Sequence, residues 1–538
     1  MAKLKLKYTF LLYILTWVIN ILLILIVFAS ITGENLNIYF SSDTLYLASI
    51  YKDIFIDETG FKGWNLNAAP NFFPDMFLYF IINKIISDFR TAYIVFSIIQ
   101  YFLILILLNI LLKSVKPDIN KIYFSVLNLI FPVFLLTAII SGFDIYTYFI
   151  FSHSFHTGVF INALFGLIFF FKYLQKPRNL FLYLSAIISL IAVYNDRLFL
   201  VLFVFPLIIV FILNYFRFKN KQIKIIIPII IITSLISLLI NWFTASNSIF
   251  TCISLGQKYM NFENIIPSLN YFINQHYRYI VEFRIKGIIS IITIINFFAL
   301  LLLIVSNNKK PANKEGTNFI DKIFFSYMFV AIFLTLFTPV INGYYFGEAT
   351  ARFNIFSFWF SVFNLTIFIQ YIFKNNIKYV YIITTFLFTF YIGLIIIKFS
   401  SISVFKNIES FSNYYPEKVK VIDEFTKKNK LKYGLAEYWN AKYTTMFSKN
   451  ELRVYTIIDE KLNLWFHVMN RNWYFDYNKG KYNKPVFNFI ILENFDKNKI
   501  KENFGEPIDS LVYKNETILY LINNIKFRRD DNKAYLLD

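Results

Sequence analysis

Through its first 400 or so residues the chain repeats one pattern, an apolar run about 20 residues long followed by a polar break. A bilayer's hydrocarbon core is about 30 Å thick and an α-helix rises about 1.5 Å per residue, so each run matches one crossing. The runs cover residues 8–30, 91–112, 122–141, 158–173, 180–194, 198–216, 225–243, 288–306, 323–340, 353–373 and 380–397, which makes about eleven spans. Charged residues are only 16% of the 538, against about 25% in soluble domains. This excludes a cytosolic enzyme or a disordered chain. The lone Cys252 excludes an internal disulfide framework and a Cys-based zinc site.

The net charge of +20 fits membrane orientation better than nucleic acid. With the N-terminus inside, the clusters Lys113/Lys116/Lys121, Lys172/Lys176/Arg178 and Arg217/Lys219/Lys221/Lys224 all fall in cytoplasmic turns. So do Lys309/Lys310/Lys314/Lys322 and Lys374/Lys378. The loops left outside (31–90, 142–157, 195–197, 244–287 and 342–352) are mostly longer and chemically mixed. They place the working side at the outer face. The apolar segment 76–87 is too short to span and is expected flat in the interface after Pro74. Residues 44–56 form a similar amphipathic candidate, with Ser49, Lys52 and Asp53 on the polar face.

Beyond residue 398 charges become frequent and no long apolar run remains. Residues 399–538 therefore read as a small soluble α/β domain outside the membrane. Its expected strands are 433–439, 453–458, 486–493, 511–513 and 518–522, with a helix over 496–503. Its lysines are scattered, so no nucleic-acid groove is expected. Glu437-Tyr438-Trp439-Asn440, at the end of a strand, and the downstream Trp465, Trp473 and Tyr474 suit either carbohydrate stacking or core packing.

The first outer loop carries the sharpest chemical signal, Ser41-Ser42-Asp43-Thr44-Leu45-Tyr46. A carboxylate just outside the bilayer can take a proton from a hydroxyl or hold a divalent cation beside a phosphate. It can equally cap a helix opening at Thr44. His153 and His156 are spaced to share a helical face, for a metal or a phosphate, or to act as interfacial anchors. Asp144 is a candidate second acid. Asn195-Asp196-Arg197 is either a self-neutralising turn or a charged boundary site with Arg197 as a phosphate contact. Arg352 opens a late span, beside Glu348, where its planar fork can clamp a phosphate or snorkel to the interface. Lys258, Arg278, Arg284 and Lys286 are further candidate anion contacts or, taken individually, solvated charges.

The N-terminal arrangement resembles the GT-C superfamily of membrane glycosyltransferases, of the dolichyl-phosphate-mannose mannosyltransferase and lipid A aminoarabinose transferase type. The likeness rests on one span, then an outer loop opening with Asp43 and Tyr46, then a connection with Trp64 and Pro70, Pro74 and the interfacial segment, and Arg90 before the next span. It covers residues 1 to about 115, and the rest only in architecture. Thr44 stands where many members have a second acid. Arg352-Phe353 is similar to the Ala-Arg-Tyr element such enzymes carry before a late span.

The resemblance implies a GT-C-like module over 1–398, bearing two juxtamembrane helices in 31–90. It implies transfer of a sugar from a polyprenyl-phosphate donor to a glycan, lipid or protein hydroxyl at the outer face of a bacterial cytoplasmic membrane. Asp43 and Asp144 would be catalytic, and Tyr46, His153, His156, Arg197, Glu348 and Arg352 would bind substrate. Asp43 could take Mg2+ or Mn2+. The alternatives are an envelope-polysaccharide polymerase or ligase, in which the 244–287 loop matters more than Asp43, and a lipid-carrier flippase.

Overall fold

The computed structural model describes residues 2–153, 155–214, 221–246, 251–252, 260–282, 284–309, 317–474, 485–525, 527–530 and 533–536. Among them, nine helices are long and apolar enough to cross a membrane: Tyr8–Ser30, Phe89–Val115, Ile122–Ser141, Thr157–Gln175, Lys221–Thr244, Ile285–Val305, Phe319–Ile341, Glu348–Ile372 and Ile377–Ser401. The chain is a polytopic helical membrane protein.

Two of the eleven expected crossings are shorter, Asn179–Asn195 and Leu200–Leu213. The first would reach roughly 26 Å at 1.5 Å per residue, and the second is still helical at Asn214, where the described residues stop. Asp196, between them, is buried and accepts the Leu198 amide at 2.9 Å, which opens the second of the two helices. The Ile122–Ser141 crossing is bent. It consists of the helices Ile122–Ile130 and Val133–Ser141, interrupted at Phe131-Pro132, where proline supplies no amide proton.

The bundle has two unlike ends. At one lie the short basic turns, including the ion pair of Lys116 with Asp321 at 2.5 Å. Arg217, Lys219, Lys310 and Lys314 fall outside the described residues, as does Lys258. At the other end the long loops gather under the C-terminal domain. Arg90 Nη1 donates to the Tyr414 carbonyl at 2.8 Å, and Asn407 Nδ2 to that of Ala29 at 2.8 Å.

The first loop folds as an inserted layer. The short apolar segment expected at the interface forms the helix Phe77–Ile85, preceded by an irregular turn from Asn71. Asn195 and Asn162 both donate to the Phe73 carbonyl, at 2.8 and 3.0 Å, and so hold that turn against the bundle. Asp75 sits on the first turn of the Thr157–Gln175 helix, where a Cβ on Gly158 would meet its Oδ2 at 1.8 Å. Glycine is needed there, and the positive helix end favours the carboxylate.

Residues 44–56 do not form a surface amphipathic helix. The helix is Tyr46–Tyr51, buried from Tyr46 to Ile50 on every side, and the turn Lys52–Ile56 follows. Asp53, expected on a polar face, is 2% exposed. Its carboxylate accepts the indole N–H of Trp64 at 2.7 Å, that of Trp473 at 2.8 Å and the Asn470 amide at 2.8 Å. Asp57 pairs with Arg453 at 2.5 Å, and strand Trp64–Leu66 joins Met469–Asn470 antiparallel. The C-terminal domain covers this helix, which is why no face of it is wet.

That domain is a five-stranded mixed sheet in the order Arg453–Thr456, Tyr433–Ala436, Phe487–Ile491, Glu516–Ile525, Asp509–Tyr513. The first three strands are parallel and the last two antiparallel. Helices Glu417–Lys428, Tyr438–Phe447 and Lys497–Phe504 accompany it. The expected strand over 433–439 stops at Ala436, because Glu437 turns the chain by capping the next helix, its side chain accepting the Asn440 amide at 3.0 Å.

Candidate functional site

Asp43 does not cap a helix. The helix after it starts at Tyr46 with Leu45 at the N-cap position and no side-chain cap. Its turn closes on itself instead, Leu45 N donating to the Ser41 carbonyl at 2.9 Å and Thr44 Oγ1 to the same carbonyl at 2.8 Å. The C-terminal domain grips this turn. Ser42 Oγ donates to the Tyr438 carbonyl at 2.8 Å, Lys442 Nζ to the Ser42 carbonyl at 3.1 Å, and the Tyr438 hydroxyl to Asp43 Oδ1 at 2.7 Å.

Tyr438 and Lys442 stand one helical turn apart, so their side chains share a face. Lys442 is 2% exposed, with its ammonium 5.3 Å from the Tyr438 ring and 5.9 Å from the Tyr46 ring. Burial pushes its amine down to about 7, and the Asp43 charge works against that shift. His467 completes the group, stacked on Trp465 at 4.9 Å and 5.1 Å from the Tyr438 ring. Burial, then the Lys442 charge, lowers its pKa, with Asp43 again opposing.

Arg352, from the first turn of the Ala351–Ile372 helix, lies within electrostatic reach of the Asp43 carboxylate. Its Nε is buried and has no hydrogen-bond partner. The guanidinium lies 4.9 Å from the Phe353 ring, which in turn is 5.3 Å from His156. His156 Nδ1 meets Asp196 Oδ2 at 2.5 Å. Asp43 thus acts on Arg352 electrostatically, and Arg352 is linked through the Phe353 ring to His156.

A second cluster adjoins this group. Asp144 caps the helix Ile145–Phe151, accepting the amides of Tyr146 and Thr147 at 3.0 and 3.1 Å. Lys286 Nζ lies 3.3 Å from Asp144 Oδ1 and 3.3 Å from Glu348 Oε2, and Tyr279 donates to Glu348 Oε1. Burial raises the Asp144 pKa, while Lys286 and the two amides pull it down. Tyr39 links the clusters: it is fully buried, its hydroxyl has no hydrogen-bond partner, and it packs edge-on against Tyr148 at 5.4 Å. Tyr148 in turn meets Ser41 Oγ at 3.2 Å.

The remaining expected site residues lie outside the link from Asp43 through Arg352 to His156. His153 and His156 do not share a helical face, since both sit in the link between helices Ile145–Phe151 and Thr157–Gln175. The His153 ring is buried among Tyr79, Phe96 and Tyr93 at 4.9, 5.4 and 5.9 Å. Burial drops its pKa to about 3, so it stays neutral. Arg197 is exposed and donates to Asn241 at 2.9 Å. Tyr46 is buried and donates to the Pro70 carbonyl at 3.2 Å. Of the expected aromatic platforms, Trp473 and Tyr474 pack inside the domain, and Trp465 stacks on His467.

A divalent cation does not fit the Asp43 donor set. The groups with which this carboxylate interacts electrostatically include Lys442 and Arg352, the reverse of a hard-cation cage. Among the described residues no group of three or more His, Cys, Asp or Glu could hold a metal ion.

Lys442 and His467 escaped the sequence reading, and Tyr438 was read at a strand end, for stacking or packing, rather than as a partner of Asp43. Their signal was present, since Tyr438 and Lys442 are spaced i, i+4 after a capping glutamate, but only a helix brings them onto one face. Compared with known protein families and with curated proteins, the chain matches none.

Proposed function

We propose that the protein is a GT-C-like glycosyltransferase that moves a sugar from a polyprenyl-phosphate donor to an acceptor hydroxyl at the outer face of a bacterial cytoplasmic membrane. The observation that carries this reading is the hydrogen bond of Tyr438 to Asp43, with Lys442 and Arg352 within electrostatic reach of the same carboxylate. The group lies at the end of the bundle opposite the basic turns, and basic turns are retained preferentially on the cytoplasmic side.

In this scheme the acceptor hydroxyl gives its proton to Asp43 as its oxygen bonds to the anomeric carbon. The bond from that carbon to the phosphate oxygen breaks, and polyprenyl phosphate leaves with the bonding pair. Tyr438 fixes the carboxylate's orientation. Arg352, with its Nε not otherwise engaged, and Lys442 answer the charge that develops on the departing phosphate. A single displacement inverts the anomeric centre.

The test is to supply the full chain, in nanodiscs, with synthetic polyprenyl-phosphate sugars and a hydroxyl acceptor. Release of polyprenyl phosphate together with an inverted glycoside is expected. Retention at the anomeric carbon would argue against direct displacement with Asp43 as base, and no release from any donor would remove the reading.

A further inference from the structure

A cavity of about 170 Å³ lies in the seam between the first loop and the C-terminal domain, walled in part by Tyr51, Lys52, Asn83, Phe89, Met446 and Glu451. It is separate from the Asp43 group. Met446 sits two turns along the Tyr438–Phe447 helix from Tyr438, roughly 12 Å away. Asn83 is 3% exposed, and its Oδ1 has no hydrogen-bond partner. A buried amide oxygen left in this state costs about 1–3 kcal/mol, and Asn83, on the helix Phe77–Ile85, is one of the residues that wall this cavity.

We infer that this cavity is a saccharide subsite, taking one uncharged sugar ring. Its size is below the about 300–1,000 Å³ of drug-sized pockets, which leaves room for a single small unit. An amide offers donor and acceptor together, and a sugar hydroxyl complements both, whereas a phosphate complements donors only. The one cation on the wall, Lys52, is already tied to Asp57 at 3.4 Å, and Glu451 would repel an anion. Tyr51, Phe89 and Met446 give the apolar surface that the C–H face of a sugar ring needs. With the Met446 wall two helical turns from Tyr438, the hydrogen-bond partner of Asp43, the ring belongs to a longer acceptor, a glycan or a glycolipid headgroup. As part of an acceptor track this rests on the glycosyl-transfer reading; as a saccharide site it does not.

Saturation-transfer NMR on the full chain in nanodiscs tests it, with methyl α-mannopyranoside, methyl β-glucopyranoside, methyl β-galactopyranoside and methyl N-acetyl-β-glucosaminide as soluble probes. Nanodiscs containing glucosyl-diacylglycerol form a second arm. Binding of a soluble glycoside, weakened at least tenfold by Asn83→Leu, supports the site and a free glycan as the source. Silent soluble probes with a glycolipid signal lost in Asn83→Leu support it with a lipid-borne ring. Ser87→Trp, placed at the exposed rim, guards against misfolding of Asn83→Leu and should weaken binding equally. Asp43→Asn should leave glycoside binding within twofold, so a failed transfer reading and a failed subsite give different results. No signal in either arm, binding indifferent to both cavity variants, or displacement of the glycoside by inorganic phosphate would overturn the inference.

Discussion

The Tyr438 hydroxyl donates to Asp43 Oδ1 at 2.7 Å across a sequence separation of 395 residues. The C-terminal domain thereby helps to build the candidate site, and the surroundings of Asp43 depend on how that domain is seated.

Lys442 gives that dependence a pH signature. Its amine titrates near 7 in the folded protein against about 10.5 when unfolded, so from pH 7 to 10.5 only the unfolded chain holds the proton. Stability therefore rises with pH across that window and is flat with respect to this group below it. Lys442→Met should remove that part of the slope in thermal unfolding followed from pH 6 to 10. A wild-type slope persisting in the variant would contradict the assignment.

The same lysine should shape turnover. If Lys442 supplies positive charge to the departing phosphate, sugar transfer declines as pH rises through about 7, where that charge is lost. In Lys442→Met the decline should vanish while the rate at low pH falls. An unchanged profile would remove Lys442 from the reaction.

Asp53 should be structural. Asp53→Ala leaves three donors, the indoles of Trp64 and Trp473 and the Asn470 amide, without their acceptor. At about 1–3 kcal/mol for each buried group left unsatisfied, the seam between loop and domain should loosen by several kcal/mol. Hydrogen exchange across strands Trp64–Leu66 and Met469–Asn470 measures this directly. Unchanged protection would show that the three bonds do not hold the seam.

The Asp144–Lys286–Glu348 cluster should behave as a coupled unit. Lys286→Met strands the buried Asp144 carboxylate with two backbone amides, and breaking such a pair costs about 3–5 kcal/mol. Adding Asp144→Asn should recover most of that loss, as read by melting temperature. Additive losses would mean that the two groups are not coupled.

What could be read in advance follows the range of the interactions. Span positions depend on local hydropathy, and nine of them are visible as long apolar helices. The helix Lys497–Phe504 and the strands Phe487–Ile491 and Arg453–Thr456 lie close to their expected places for the same local reason. Asp43 stood out because an acid just past a first span is conspicuous in the chain itself. Its partners did not, since Tyr438 and Lys442 are brought to it by tertiary folding alone. Asp53 was misplaced on a wet face because Trp473, one of its partners, lies 420 residues away and was not visible beside it. His153 is the converse case, a titratable residue conspicuous in the sequence whose ring the fold packs among Tyr79, Tyr93 and Phe96.

The most direct measurement compares wild type with Asp43→Asn for sugar transfer from a polyprenyl-phosphate donor, with His153→Phe as the control. A positioned general base contributes about 10²–10⁴-fold, so Asp43→Asn should lose at least about a hundredfold in rate while remaining folded, and His153→Phe should stay within about threefold. Turnover by Asp43→Asn equal to wild type would contradict the account at its centre.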